Sequence, residues 1–114
     1  MIYQITSDNI DLSPSMDTLT KDKFERVESR VKHFPQDACF ARIVLNAAPK
    51  ERFTVKAELE INGKKHFSDE TDFSLEAALI KTVEELLQMM EKDSIVQKRK
   101  HLEEKEKIQE ALAE

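Results

Sequence analysis

Residues 74–90 read SLEAALIKTVEELLQMM. Leu75, Leu79, Val83, Leu86 and Met90 recur at steps of three and four, with Ala78 beside them. That spacing places them on one stripe of an α-helix. Ser74 is suited to cap the first turn, and Glu76 and Glu84 lie toward the N-terminal half, where the helix dipole favours acids. A stripe that wide has to be buried, and the chain before it supplies the cover: four β-like segments and a second amphipathic helix.

The clearest strand is Arg52–Ile61, where Phe53, Val55, Ala57, Leu59 and Ile61 alternate with Arg52, Thr54, Lys56, Glu58 and Glu60. Strict alternation means one face buried and one wet, as in an antiparallel sheet covered on a single side. Asn62–Gly63 follows and is a strong hairpin signal; it also holds the chain's one glycine. Lys64–Glu70 then returns as a further strand. A two-residue loop, the preferred reading, sets His66 and Ser68 across from the apolar-face residues, whereas a three-residue loop sets Phe67 there. Phe40–Ala47 is another strand, with Ala41, Ile43 and Leu45 on one face. Ile2–Thr6 is a short one, with Tyr3 and Ile5 sharing a face.

Ser13–Pro14 starts the other helix, a capping serine followed by proline at the first helical position. It is expected to run to about Phe34, ahead of Pro35, and to bury Met16, Leu19, Phe24, Val27, Val31 and Phe34. Its charges are sorted: Lys23, Arg26, Arg30 and His33 lie along one flank of the stripe, and Asp17, Asp22, Glu25 and Glu28 toward the back. One reading is a solvated face with helix ion pairs such as Asp22–Arg26. The other is a row of cations at one-turn intervals that tracks phosphates.

The 114 residues suit one domain, and 39% hydrophobic against 36% charged residues suit a small domain with a solvated tail. We therefore read residues 1–92 as the domain and 93–114 as a charged tail, helical or frayed. The apolar spacing decays after Met90, and Lys98, Arg99 and Lys100 form a basic cluster there. A net charge of −5 argues against a strong nonspecific nucleic-acid binder, although it hides local segregation. One cysteine, Cys39, rules out an internal disulfide framework. No apolar run is long enough to span a membrane and the start, MIYQITSDN, lacks a signal core, so a cytoplasmic protein is expected. His33, His66 and His101 fall on different elements, with no metal-ligand spacing and no nucleophile motif. We expect no enzyme activity, no metal and no cofactor.

The order strand–helix–strand–strand–strand–helix is similar to double-stranded-RNA-binding-like domains. A closer resemblance is to the bacterial ribosome hibernation factors, the short hibernation-promoting factor and the ribosome-associated inhibitor. It is carried by YQITSDNIDLSPSM near the N-terminus, KDKFERVESRV in the first helix, ARIVL at 41–45, LEINGK at 59–64 and Ala78–Leu79. The resemblance implies an α+β fold, a four-stranded sheet with two helices on one face. It also implies binding to the small ribosomal subunit near the messenger and transfer RNA sites, silencing translation under stress. Carried over by position, Lys23, Arg26 and Lys92 would face ribosomal RNA; Arg30, Lys98, Arg99 and Lys100 are further candidate phosphate contacts from their own placement. The chain departs from the family pattern at Glu76, where a tyrosine is usual, and at Glu84, Glu85, Leu86, Leu87 and Gln88, where the family has aspartate–lysine–leucine–glutamate–arginine. The alternative is a non-catalytic module that engages a basic protein partner through the acidic last helix. No membrane or small-molecule partner is expected.

Overall fold

The structure, a computed structural model, describes residues 1–93. Its elements are β1 (Ile2–Thr6), α1 (Pro14–Arg30), β2 (Cys39–Ala48), β3 (Arg52–Ile61), β4 (Lys64–Asp72) and α2 (Leu75–Lys92), with a 3-10 turn at Gln36–Ala38. The α+β class and the expected element order are observed. The sheet order is β1-β2-β3-β4. β2, β3 and β4 form an antiparallel meander, but β1 runs parallel to β2, with Tyr3 beside Ala41 and Ile5 beside Ile43. The sheet is thus mixed, although β3, whose alternation suggests an antiparallel setting, has antiparallel neighbours on both sides. Alternation reports which face is wet; strand direction follows from the connection, and a helical crossover such as α1 permits a parallel neighbour.

The two-residue hairpin is present. Ile61 lies opposite Lys64, and Asn62 and Gly63 take φ values of 50° and 86°. Both central residues are left-handed, as the hairpin turn that matches strand twist demands. This register puts His66 opposite Leu59 and Ser68 opposite Ala57, both buried, and leaves Phe67 62% exposed on the other face.

One core lies between the sheet and the helices. Ala41, Ile43 and Leu45 of β2 and Val55, Ala57, Leu59 and Ile61 of β3 meet Phe24 and Val27 of α1 and Leu79, Val83, Leu86 and Met90 of α2. Thr20 and Thr82 are also fully buried. Each hydroxyl donates to a carbonyl one turn back, Met16 and Ala78 respectively, at 2.8 Å, so neither is a polar group without a partner. Ser13 and Ser74 cap the two helices by accepting from the Met16 and Ala77 N–H groups.

α1 ends at Arg30, four residues short of the expected Phe34. Val31 leaves helical geometry and the Phe34 N–H bonds to the Val31 carbonyl in a turn. Pro35 disfavours helical backbone at the residue before it. Val31 is nevertheless buried and Phe34 packs against the core, so the turn preserves the apolar spacing. At the other end of the layer, Asp93 caps α2, and its carboxylate lies 2.6 Å from His66 Nε2.

Candidate nucleic-acid interface

The seam between α1 and α2 is built from a cationic flank and an acidic one. Lys23 Nζ lies 3.2 Å from Glu76 Oε1 and 3.9 Å from Asp22 Oδ2. Arg30 Nη1 lies 3.8 Å from Glu91 Oε1. Arg26 stands between them, exposed, and among the described residues makes no ion pair. With Lys23 it lines a shallow groove of about 290 Å³ floored by Ile80 and Val83. Asp22 thus pairs with Lys23 and not with Arg26, the partner expected from helix spacing. Glu28, expected toward the back, accepts a hydrogen bond from the Tyr3 hydroxyl under β1. Burial and then that carboxylate push the Tyr3 phenol far above its usual range.

The α1 row, Lys23, Arg26 and Arg30, is therefore brought together, but two of its three cations already have carboxylate partners on α2. Exposed pairs of this kind contribute about 0–1 kcal/mol each, so a phosphate could displace them at little cost. The displaced Glu76 and Glu91 would remain beside the polyanion and weaken the contact. Lys92 does not join the row. It shares the helical flank of Lys81 and Glu85, at spacings of four and seven, which is the β4 side of α2. Lys81 pairs there with Asp72 at 2.7 Å, and Glu85 accepts from the Ser68 hydroxyl at 3.1 Å. Lys98, Arg99 and Lys100 lie outside the described residues, as does the rest of the proposed tail after Asp93.

The sequence departs from the family pattern at Glu76 and at Glu84, Glu85, Leu86, Leu87 and Gln88. Glu84 and Gln88 are exposed, but Glu85 is half-buried against β4 and turned away from α1. The acids that meet the cationic row are Glu76 and Glu91. Glu91 was missed, although the spacing 76, 80, 83, 87, 91 puts it on the flank of Glu76.

The face of the sheet away from the helices is mixed in charge. Arg42 reaches Glu58 and Glu60 at 3.5 and 4.0 Å, Lys65 reaches the same acids at 3.6 and 3.8 Å, and the Arg42 guanidinium lies 5.5 Å from the Phe40 ring. A depression of about 770 Å³ opens there, lined by Gln4, Arg42, Val44, Lys56, Phe67 and Asp69 among others. Cys39 is buried, which pushes its thiol up and away from reactivity. Among the described residues no three His, Cys, Asp or Glu side chains converge as metal ligands, and no helix is long and apolar enough to cross a membrane.

Residues 3–100 match the model of a family described as "Sigma 54 modulation protein / S30EA ribosomal protein". The fold is similar to that of the Protein Y N-terminal domain of Thermus thermophilus, with a TM-score of 0.61 and 22% identity, covering 75% of this chain and 89% of that one. It is also similar to a ribosomal subunit interface protein from Coxiella burnetii, with a TM-score of 0.67 and 18% identity, covering 83% and 99%. No curated protein matches the chain by sequence.

Proposed function

Because the chain belongs to the Sigma 54 modulation protein / S30EA ribosomal protein family, we propose that it is a ribosome-associated translation inhibitor acting by occupancy rather than by chemistry. It binds the small ribosomal subunit and its RNA near the messenger and transfer RNA sites, in the cytoplasm, during stress or stationary phase. The observation that carries this reading is the row Lys23, Arg26 and Arg30 on one flank of α1. Arg26 is its centre, because no acid has to be displaced from it. Residues 1–92 supply this contact, and Lys98, Arg99 and Lys100 add phosphate contacts from the tail. Lys92, on the β4 side of α2, contributes only if the RNA wraps around that helix.

Each phosphate contact releases counterions, so binding should fall steeply with salt. The double change Arg26→Glu with Arg30→Glu should weaken co-sedimentation with small subunits and lower the slope of log affinity against log salt by roughly 2. Wild-type protein that fails to co-sediment at low salt sinks the reading. So does a double variant that binds as wild type does.

A second reading has one observation in its favour. Glu76 and Glu91 interrupt the cationic row, as would suit a module that binds a basic protein and has lost ribosome binding. In the same experiment, wild type absent from ribosomes at every salt concentration favours this reading over the first.

A further inference from the structure

β4 is the last strand of the sheet, and among the described residues no strand pairs with its outer side. The tight turn at Asn62–Gly63 directs the Lys64 N–H toward Ile61. Antiparallel ladders alternate, so Lys65, Phe67, Asp69 and Thr71 turn their N–H and C=O groups outward. Such a row is a template for another strand. The side chains on it are segregated: Lys64 and Lys65 precede Phe67, and Asp69, Glu70 and Asp72 follow it. Phe67 itself is 62% exposed.

We propose that the outer edge of β4 docks a second copy of this chain, the two β4 strands running antiparallel about a two-fold axis at Phe67. In that register Phe67 meets the partner's Phe67, Lys65 meets the partner's Asp69, and Lys64 meets the partner's Glu70. Each contact occurs twice except the one on the axis. Opposed residues have equal parity, so both copies keep their helices on the same side of one eight-stranded sheet. A parallel arrangement would set lysine against lysine and acid against acid, which disfavours it. Glu70 gains most. A hydrogen bond with Glu85, more than burial, pushes it above the usual carboxylate range, and the Lys64 of a second copy supplies an opposing cation. Lys65 already has Glu58 and Glu60 within reach, and its long side chain can serve them or the partner's Asp69. A single edge is smaller than the roughly 1,200 Å² of stable complexes, so this dimer is weak and forms only in concentrated protein. The helix seam stays uncovered, so the inference stands whether or not the chain binds RNA.

The test uses the full chain. A hydrogen-bonded antiparallel pair sets its Cα atoms about 5.5 Å apart, within disulfide range. Phe67→Cys should therefore oxidise to a 67–67 linked dimer at least about tenfold faster than Phe73→Cys, because pairing raises the effective thiol concentration. Phe73 is the control because it is 75% exposed and lies beyond the end of β4. The native thiol, Cys39, is 2% exposed and does not compete. In sedimentation, wild type should associate as concentration rises, and Phe67→Lys should weaken that association about tenfold by removing the ring pair and opposing two cations. Circular dichroism checks that each variant is folded. Equal cross-linking rates for the two cysteine variants would overturn the proposal. So would wild type that stays monomeric up to about 1 mM, or association that Phe67→Lys leaves unchanged.

Discussion

The two helices lie side by side on the same sheet and have divided the work. α2 buries six residues, Ala78, Leu79, Thr82, Val83, Leu86 and Met90, whereas α1 buries three, Thr20, Phe24 and Val27. α1 carries the cationic row, and α2 answers it with Glu76 and Glu91. The helix with the wider apolar stripe is anchored, and its polar positions are spent on neighbours: Lys23 and Arg30 on one side, Ser68 and Asp72 on the other. The helix with the narrower stripe has more surface left over, and the candidate contacts lie there. Loss of stability and loss of binding should therefore separate by helix.

The largest expected effect tests that division directly. Leu86→Ala removes a fully buried side chain of α2 and should cost about 2–5 kcal/mol in chemical denaturation. Leu19→Ala removes a partly buried side chain of α1 and should cost only about 1 kcal/mol. Equal losses would mean that α1 is as deeply anchored as α2.

A smaller effect sharpens the account of the β4 flank of α2. Glu70 is raised above the usual carboxylate range by its hydrogen bond to Glu85, by burial and by the Glu85 charge. A raised carboxylate stabilises the fold while protonated, and that contribution is lost as pH climbs from the unfolded value of 4.5 through the raised one. Glu85→Gln lacks the repulsion. Its advantage over wild type should grow as pH rises through that window and reach at most about 1 kcal/mol at neutral pH. An advantage that is the same at every pH would mean that the two carboxylates do not interact. For the same reason, Glu85→Lys acts first on Glu70 and only second on a bound polyanion.

The smallest expected effect concerns the proposed tail after Asp93. Deleting residues 94–114 should leave the unfolding midpoint nearly in place, because the apolar spacing after Met90 is too sparse to form a stripe. Asp93, which holds His66, is retained in that deletion. A large loss of stability would show that the tail supports the domain.

Much of the architecture was legible because its determinants are local. The alternation over 52–61, the Asn62–Gly63 turn and the stripe over 75–90 each encode an element within a few residues, and all three are where the sequence puts them. The end of α1 was not legible. A turn at Val31–Phe34 that keeps both side chains inward preserves helical apolar spacing while the backbone departs from it. Thr20 and Thr82 escaped a hydrophobic reading because their hydroxyls are satisfied inside their own helices. At the candidate site the cations were legible and their neutralisation was not. Which acid faces Lys23 or Arg30 depends on how α2 is turned against α1, and one helix's spacing does not encode its neighbour's rotation.

The parallel pairing of β1 with β2 constrains the order in which the chain can assemble. From Cys39 onward every element pairs or packs against one close by in sequence, as β2 with β3, β3 with β4 and β4 with α2. β1 must find its partner across the whole of α1, and α1 must find α2 across the three strands between them. Closing so long a loop sacrifices chain entropy before any contact repays it, so the join of β1 to β2 is expected late. During synthesis β1 and α1 are the first segments to emerge, and they wait without a sheet until β2 and β3 have been made. Pulse-labelled hydrogen exchange in refolding should accordingly protect the Ala57 and Leu59 amides before those of β2 that bond to β1; the reverse order would put the N-terminal strand in the nucleus.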